Sequence, residues 1–344
     1  MALGEFDLIE RFFKRRAFPP GASSAVALGI GDDCALLATR PGTQLAISSD
    51  MLVQGRHFFA DVNPVHLGHK ALAVNLSDLA ACGAKPLAFS LALALPQADE
   101  VWLAGFSQGL FALADAHGCT LIGGDTTQGP LNICITVFGE VPRVHGKSQA
   151  LLRSGAQAGD DIYVSGTLGD ARLALEVMQG KLSLGAEPGL SSAFFESTRL
   201  RLECPTPRIA LGLALRGLAS SAIDVSDGLL GDLTHILKAS GCGACIETDT
   251  TIDLMAAYQH PQMANGLLNL SDDQRLQFIL AGGDDYELLF TAASSSRAKV
   301  RSAANRCATP VTRIGQIQAA PGLRLINTKG QLPDSSYLSF DHFR

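Results

Sequence analysis

The 344-residue chain lacks the features that would direct it to a membrane or to nucleic acid. Its apolar run Leu87–Leu95 is nine residues long and contains Ser90, whereas a membrane-spanning helix needs about 18 apolar residues. Charge is scarce at 17%, and 27 Lys and Arg against 33 Asp and Glu give a net charge of −6, which disfavours wholesale nucleic-acid binding. The amino terminus carries its charges after the first apolar residues, the reverse of a signal peptide. We therefore expect a soluble, cytoplasmic protein with no membrane or nucleic-acid partner.

Glutamate is also scarce, because only 10 of the 33 acidic residues are Glu and 23 are Asp. The chain has 35 Gly, and ten of the Asp lie within two residues of one. Asp suits turns, helix caps and hard-metal sites, whereas Glu favours helices. An apolar content of 47% excludes a disordered chain, and the length suggests about two domains.

The familiar zinc and nucleotide motifs are absent. The one CxxC, Cys242–Cys245, has no second pair or His partners at zinc-ligand spacing. The segment Gly29–Cys34 begins like a dinucleotide fingerprint but has Cys34 where the third glycine belongs. Gly146–Ser148 resembles the end of a P-loop, yet Val141 occupies its first glycine position. Neither a Rossmann nor a P-loop enzyme is indicated.

Helix and strand signals alternate in both halves of the chain, which predicts two α/β domains. The polar, Gly-rich stretch 142–160 predicts a boundary near residue 148, and 183–192 is predicted to be a surface loop. The predicted helices are 64–82, 99–118, 171–179, 228–239 and 271–282. The predicted strands are 45–47, 120–122, 133–141, 162–164, 221–225 and 286–291.

Four aspartates, Asp33, Asp50, Asp125 and Asp224, follow or sit inside small-residue turns next to short apolar strands. In α/β sheets such positions open towards the ligand crevice, and carboxylates there suit Mg²⁺. The alternative is that an Asp in a turn only caps backbone N–H groups. For any one of these four residues taken alone, the capping interpretation is favoured.

For Asp78 the ligand interpretation is favoured over the capping interpretation. On the predicted helix 64–82, Leu67, Ala71 and Val74 form one apolar face, and Asp78 is the next position on it. A buried carboxylate is costly unless it is paired or metal-bound. Lys70 lies eight residues back, about 12 Å away along a helix, and is too far to pair directly. We therefore interpret Asp78 as a ligand.

The second half repeats the theme of acids beside turns. Asp224 and Asp227 flank a strand-to-helix turn, although Asp227 could simply be the helix N-cap. The segment 282–287 is a Gly-rich turn entering a strand, for which a solvated turn is the alternative. Arg153 could bind a nucleotide phosphate and His57 a substrate phosphate; a surface Arg and a partly buried His are the alternatives. With so few cations near these motifs, divalent metals must supply most of the positive charge.

Nine ordered segments from Gly4 to the carboxyl terminus together resemble the bacterial thiamine-monophosphate kinase family. Its wider superfamily includes aminoimidazole ribonucleotide synthetase, selenophosphate synthetase and a hydrogenase-maturation protein. The segments are GEFDLIERF, GIGDDCALL, AISSDMLVQGRHF, KALAVNLSDLAACGAKP, LIGGDTT, RSGAQAGDD, AIDVSDGLLGDL, GGDDYELLFT and FDHF.

The resemblance implies transfer of the ATP γ-phosphoryl group to thiamine monophosphate. It implies an α/β fold of the α+β type in two domains. The N-terminal domain (1–147) would bind ATP and Mg²⁺, and its mixed sheet would pair with that of a second copy to form a homodimer. The C-terminal domain (148–344) would be an α/β domain. The implied ligands of several Mg²⁺ ions are Asp33, Ser48, Ser49, Asp50, Asp78, Asp125, Asp224 and Asp227. The implied ATP contacts are Gly124, Asp125, Arg153 and Ser226. The implied substrate contacts are His57, Asp284 and Phe340.

Two of these positions are open. The family commonly has Glu where this chain has Asp284, a carboxylate one methylene shorter, and Tyr337 is an alternative to Phe340 for stacking on the substrate. No general base or covalent nucleophile is expected, because a phosphate monoester acceptor is already largely ionised at pH 7. In-line positioning and metal neutralisation would then suffice for direct transfer.

Three alternatives remain at this point: another ATP-dependent superfamily member, a catalytically silent nucleotide-binding scaffold, and a Mg²⁺-dependent phosphatase. A selenophosphate synthetase would carry a reactive Cys in a Gly-rich segment, but Cys34 lies in a segment of the kinase pattern. The remaining aspartates, such as Asp99, Asp160, Asp161 and Asp272, are interpreted as caps and turns.

Overall fold

The computed structural model describes residues 4–14, 25–184, 188–259, 269–330 and 337. These residues form two units, and apart from Ala80–Cys82 at the end of a helix, which group with the second, the division falls between Ala150 and Leu151. Each unit combines helices with a mixed sheet, which confirms the predicted α/β fold class. No helix in the described part of the chain is both long enough and apolar enough to cross a membrane.

The first unit contains a mixed sheet, a two-stranded ribbon and three helices. In the sheet β3 and β6 are antiparallel, β6 and β4 are antiparallel, and β4 and β5 are parallel. The strands are β1 (Val26–Leu28), β2 (Leu36–Leu37), β3 (Thr43–Val53), β4 (Lys85–Leu95), β5 (Thr120–Gln128), β6 (Asn132–Val144) and β7 (Lys147–Ser148). The helices are α1 (Glu5–Leu8), which continues as a π-helix over Ile9–Phe13, α2 (Pro64–Ala81) and α3 (Glu100–Ala116).

The second unit is built on a six-stranded sheet of order β13-β10-β12-β8-β11-β9, in which only β10 and β13 are parallel. Its strands are β8 (Asp160–Ser165), β9 (Ser221–Val225), β10 (Gly243–Glu247), β11 (Glu287–Ala293), β12 (Val311–Gln318) and β13 (Gly322–Ile326). Its helices are α4 (Asp170–Met178), α5 (Pro188–Glu203), α6 (Ile209–Ala214), α7 (Leu229–Ser240), α8 (Thr248–Thr251), α9 (Ala256–Gln259), α10 (Asp272–Ala281) and α11 (Arg297–Arg306). Strands β8 and β9 are buried at every residue, so both faces of the sheet are covered there.

Side-chain caps confirm three of the five predicted helix starts, while α4 and α7 begin after Gly169 and Gly228 without one. Asp99 accepts hydrogen bonds from the Val101 and Trp102 amides, and Ser271 forms a capping box with Gln274. Asn63 Oδ1 accepts from the amide of Val65 at 2.9 Å.

Several local predictions are wrong. The predicted strand 45–47 is part of β3, which continues to Val53, so Asp50 lies on a strand and not in a turn. The predicted loop 183–192 gives way to α5 from Pro188, a residue favoured at the first helical position, and Phe194 and Leu202 bury an apolar face of that helix. Strand β5 does not end at residue 122 but continues to Gln128, because β4 supplies a ladder partner that the local sequence does not reveal. Asp125 therefore lies on a strand and not in a turn.

Helices α2 and α3 approach each other through glycines. A Cβ on Gly68 would lie 2.0 Å from the carbonyl oxygen of Phe106, and one on Gly109 would lie 1.8 Å from that of Val65. Neither glycine has a left-handed φ, so it is the close contact of the two backbones that requires the missing side chain.

Gly109→Ala is expected to destabilise the first unit by roughly 1–3 kcal/mol, because overpacking outweighs the roughly 1 kcal/mol that Ala gains in helix propensity. The midpoint of urea unfolding measures the change. Gly129→Ala is the matched control, since its Cβ would meet nothing closer than 3.6 Å. Equal midpoints for the two variants would contradict the close packing of α2 and α3.

Asp161 is not the cap or turn residue that we expected. It is fully buried on β8 and forms ion pairs with Arg297 at 2.6 Å and Arg313 at 2.8 Å. Hydrogen bonds from Arg297 and Arg313 lower the pKa of Asp161 to about 2 against the effect of its burial. Both arginines come from the last third of the chain, so the local sequence around Asp161 does not indicate them.

Asp161→Asn is expected to lower the free energy of unfolding at pH 7 by roughly 1–3 kcal/mol, less than for a fully buried pair because Arg297 is 55% exposed. A carboxylate with a lowered pKa stabilises the fold above the unfolded-state pKa of about 3.9, and the stabilisation is lost as the pH falls towards 2. The difference in the free energy of unfolding between wild type and Asp161→Asn, measured by urea unfolding, should therefore become smaller between pH 4 and pH 2. Asp253→Asn, at a side chain 82% exposed, should change little at any pH. A difference for Asp161→Asn that does not depend on pH would contradict the ion-pair assignment.

Candidate functional site

Leu67, Ala71 and Val74 on α2 are buried as predicted, but every residue from Lys70 to Ser77 is buried as well, so burial is not confined to one face. Leu67, Ala71 and Val74 are 0%, 1% and 2% exposed, and Asp78 continues their face as a half-buried side chain. Ser48 Oγ on β3 donates a short hydrogen bond to Asp78 Oδ2. Two predicted ligands from different elements are thereby brought into contact.

Asp50 lies two residues further along β3 and is half-buried. Its amide donates to Asn75 Oδ1 at 3.0 Å, so α2 satisfies an amide of this edge strand. The Ser49 hydroxyl between these residues contacts Thr136 Oγ1 at 2.9 Å and the Ile135 carbonyl oxygen at 3.2 Å. The Ser49 hydroxyl therefore already has protein partners, and the alternation of β3 places it on the side of the sheet opposite Ser48 and Asp50.

Gly124 and Asp125 are exposed on β5, at the other edge of the same sheet. The strand register aligns Asp50 with Gly124 through Ile135 and Leu91. Three interstrand spacings separate them, about 14 Å. Metal–oxygen bonds of about 2.1 Å cannot join Asp50 and Asp125 through one ion over that distance. A polyphosphate or several ions would have to span the sheet.

The remaining predicted ligand of the first unit, Asp33, is exposed in the segment between β1 and β2. Among the described residues, no three His, Cys, Asp or Glu side chains form a group that could hold a metal ion. The donors present are hard oxygens from carboxylates and from the Ser48 hydroxyl. Mg²⁺ is commonly bound by one or two carboxylates together with waters and substrate phosphates, and this donor set fits it.

His57 lies in the turn that follows β3. Its Nδ1 accepts a hydrogen bond from the Val53 amide at 3.0 Å, so a neutral ring carries its proton on Nε2. Lys70 on α2, only 3% exposed, donates to the carbonyl oxygen of His57 at 3.4 Å. The sequence did not predict that Lys70 binds the backbone of His57. The only indication was a lysine near the inward face of a predicted helix.

In the second unit, Asp224 is buried on β9 and Ser226 and Asp227 are half-buried in the following turn. The N-cap of α7 is Gly228, and no side chain caps that helix, so the capping interpretation of Asp227 is wrong. Gly228 has φ of +117°, and a Cβ there would lie 2.9 Å from Ala281 Cα. A side chain at residue 228 is therefore excluded by conformation and by space.

Two turns that carry predicted ligand contacts are joined by backbone hydrogen bonds. The Asp284 amide donates to the Ser226 carbonyl oxygen and the Tyr286 amide to that of Val225, both at 2.8 Å. Asp284 and Tyr286 both have a left-handed φ, at 59° and 52°, and the Tyr286 hydroxyl donates to Asp284 Oδ1 at 3.3 Å. The backbone of Asp284, the residue predicted to contact the substrate, is therefore held next to Ser226, the residue predicted to contact ATP.

In the rest of the 282–287 segment Gly283, Asp285 and Glu287 are buried and Gly282 and Tyr286 are half-buried, so the segment is not a solvated turn. Glu287 is 0% exposed and accepts hydrogen bonds from Arg208 Nε at 2.6 Å and Arg201 Nη2 at 2.9 Å. Asp285 accepts from the Gly169 amide at 3.0 Å, and burial raises its pKa well above the usual range. The acids of this motif thus divide: Asp285 and Glu287 support the fold, and Asp284 is partly accessible.

Asp232 on α7 is a residue that sequence reasoning missed. Its Oδ2 accepts hydrogen bonds from the amides of Ser226 at 3.0 Å and Asp227 at 3.2 Å. Burial and the charge of Asp227 raise the pKa of Asp232 to about 7, although the amides oppose the shift. At the other end of α7, Ser240 Oγ donates to the Arg153 carbonyl oxygen at 3.3 Å.

The predicted phosphate-binding Arg153 is exposed, and its guanidinium forms no ion pair within the described ranges. Phe340 lies outside the described residues. Tyr337 is half-buried, packs against the core of the second unit and donates from its hydroxyl to Asp273 Oδ1 at 3.1 Å.

Family models match both halves of the chain. Residues 31–141 match the AIR synthase related protein, N-terminal domain, and residues 157–327 match the AIR synthase related protein, C-terminal domain.

Individual relatives agree over the whole length. The thiamine-monophosphate kinase of Salmonella typhimurium is 45% identical and aligns with 100% of this chain and 99% of its own. The structure of the thiamine-monophosphate kinase from Stenotrophomonas maltophilia superposes with a TM-score of 0.80 at 45% identity, over 97% of this chain and 99% of that one. AaThiL complexed with AMPPCP and TMP superposes with a TM-score of 0.70 at 27% identity, over 88% and 89%. The chain therefore belongs to the thiamine-monophosphate kinase family of AIR synthase related proteins.

Proposed function

We propose that this chain transfers the γ-phosphoryl group of ATP to thiamine monophosphate, producing thiamine diphosphate and ADP. The observation that carries the proposal is its likeness, along the full chain, to thiamine-monophosphate kinases. The complex of AaThiL with AMPPCP and TMP supports the substrate pair, since AMPPCP is an ATP analogue and we take TMP to be thiamine monophosphate. The same likeness favours this activity over a synthetase of the superfamily, a phosphatase or a silent scaffold.

The residues suit a reaction that needs positioning more than proton transfer. The acceptor phosphate is already largely ionised, so no residue is assigned as general base or nucleophile. Mg²⁺, when bound, neutralises phosphate charge. The proposed Mg²⁺ ligands are Asp33, Ser48, Ser49, Asp50, Asp78, Asp125, Asp224 and Asp227.

The remaining site residues bind and orient the two substrates. Arg153 and Ser226, with Gly124 and Asp125, are proposed to contact ATP. Nε2 of His57 would donate to the phosphate of thiamine monophosphate, because Nδ1 is occupied by the Val53 amide. Asp284, restrained by Tyr286, would lie near the cationic thiamine moiety. The stacking role of Phe340 and a cytoplasmic location stay predictions.

A homodimer is the second part of the proposal. The exposed residues on one side of β3 are Leu45, Ile47, Ser49 and Met51; the three apolar ones are 41%, 60% and 52% exposed, so this side is apolar except at Ser49. Exposed apolar surface of this kind is typical of an interaction face. We propose that the mixed sheet pairs with that of a second copy through this side of β3.

Removing one proposed metal ligand at each edge of the sheet tests the activity. In a coupled assay with ATP, Mg²⁺ and thiamine monophosphate, scored for thiamine diphosphate, wild type should be active. Asp50→Ala and Asp125→Ala should each lose about 100-fold or more in kcat/KM while remaining folded, because phosphate charge is no longer neutralised. Asp115→Ala, at an exposed position of α3, is the control and should keep full activity. Full activity in both site variants would remove the ligand assignment.

The dimer is tested by placing a charge on this side of β3. Ile47→Asp should convert a dimer to a monomer in analytical ultracentrifugation, since a buried unpaired carboxylate is costly. Val101→Asp, at a position 84% exposed on α3, is the control and should leave the mass unchanged. A monomeric wild type, or a dimeric Ile47→Asp, would contradict the proposed face.

A further inference from the structure

The backbone amides before α7 are occupied from within the protein. Successive backbone amides in a turn that leads into a helix can form an anion site beside the helix N-terminus. Here the carboxylate of Asp232, only 3% exposed, accepts from the amides of Ser226 at 3.0 Å and Asp227 at 3.2 Å. A phosphate could reach these amides only by displacing a buried carboxylate.

The same turn is held from its other side. The Ser226 carbonyl oxygen accepts from the Asp284 amide at 2.8 Å, so both backbone polar groups of Ser226 are bonded to the protein. Within the described ranges, the hydroxyl of Ser226 and the carboxylate of Asp227 form no side-chain hydrogen bond or ion pair. These two side-chain groups are therefore the parts of the turn that remain for a ligand.

We propose that Asp232 is a positioning residue for nucleotide binding: it holds the Ser226 and Asp227 amides inward, so that Ser226 contacts the nucleotide through its hydroxyl and not through its amide. The inference rests on the proposed function, since it takes Ser226 as a nucleotide contact. Asp232 itself touches no substrate in this account and acts only through the turn.

Asp170 provides a matched control within the same unit. It is also buried, 1% exposed, and its carboxylate accepts from two successive amides, those of Ala256 at 3.0 Å and Ala257 at 2.8 Å. Asp170→Asn and Asp232→Asn therefore remove the same kind of interaction and should lower stability by similar amounts. Only Asp232 supports a turn that carries proposed ligand contacts.

Calorimetric titration with AMPPCP and Mg²⁺ tests the proposal. Asp232→Asn should weaken the Kd by about 10-fold and Asp170→Asn by less than about 2-fold, because only the first loosens the Ser226 turn. Ser226→Ala should weaken binding in wild type but by less than about 2-fold more in the Asp232→Asn background, since residues that act through one another are non-additive. Equal Kd values for Asp232→Asn and wild type would overturn the proposal, because Asp232 would then support only the fold.

Amide hydrogen exchange of the wild-type protein tests the geometry even if the variants fail to fold. The Ser226 and Asp227 amides should be protected without nucleotide, and AMPPCP with Mg²⁺ should slow their exchange no more than it slows that of the Ala256 and Ala257 amides, which Asp170 holds. Slowing beyond that of these reference amides would mean that the Ser226 and Asp227 amides bind the nucleotide, which would overturn the proposal. If wild type does not bind AMPPCP at all, the proposed function fails; binding that is indifferent to Asp232 overturns only the positioning role.

Discussion

A carboxylate that leaves water must find an amide, a hydroxyl, a guanidinium or a metal ion, or else take up a proton, because its desolvation otherwise costs several kcal/mol. In the second unit Glu287 and Asp161 are fully buried and each is paired with two arginines, while Asp232 is bonded to two backbone amides. These acids stabilise the fold. The acids proposed to bind metal are of a different kind, being exposed or half-buried apart from Asp224. The distinction between the two groups lies in their surroundings and not in their residue type.

In each unit, buried interactions hold the backbone that carries the proposed ligand contacts. In the first, the hydroxyl of Ser48 and the carboxylate of Asp78 meet where α2 crosses β3, and the close contact of α2 and α3 through Gly68 and Gly109 fixes the helix that carries Asp78. In the second, α7 holds the Ser226 turn by Asp232 near its start and the backbone of Arg153 by Ser240 at its end. Proposed ligand contacts thus lie on pieces of backbone that buried interactions restrain, as preorganised binding requires.

The local sequence predicted the features whose causes are local. Asp99 and Ser271 cap helices through amides two or three residues away. The periodicity of Leu67, Ala71 and Val74 indicated a buried face, but it did not indicate that Lys70, Asn75 and Ser77 are buried more deeply than Asp78. Features with distant causes were missed: Glu287 is paired with an arginine 79 residues away, and β5 continues beyond residue 122 because β4 lies beside it. Asp232 was missed for another reason. Its partners are only five and six residues away, but the direction of a backbone amide cannot be read from residue letters.

The central claim is that a chain of net charge −6 binds phosphates through metal ions held by its aspartates. The most direct test is the dependence of AMPPCP affinity on Mg²⁺ concentration, measured calorimetrically in wild-type protein and with the metal removed by EDTA. We expect the affinity for AMPPCP to rise with more than the first power of the free Mg²⁺ concentration and to be lost in EDTA, because carboxylates alone repel the triphosphate. Affinity that is unchanged when the metal is removed would contradict the central claim.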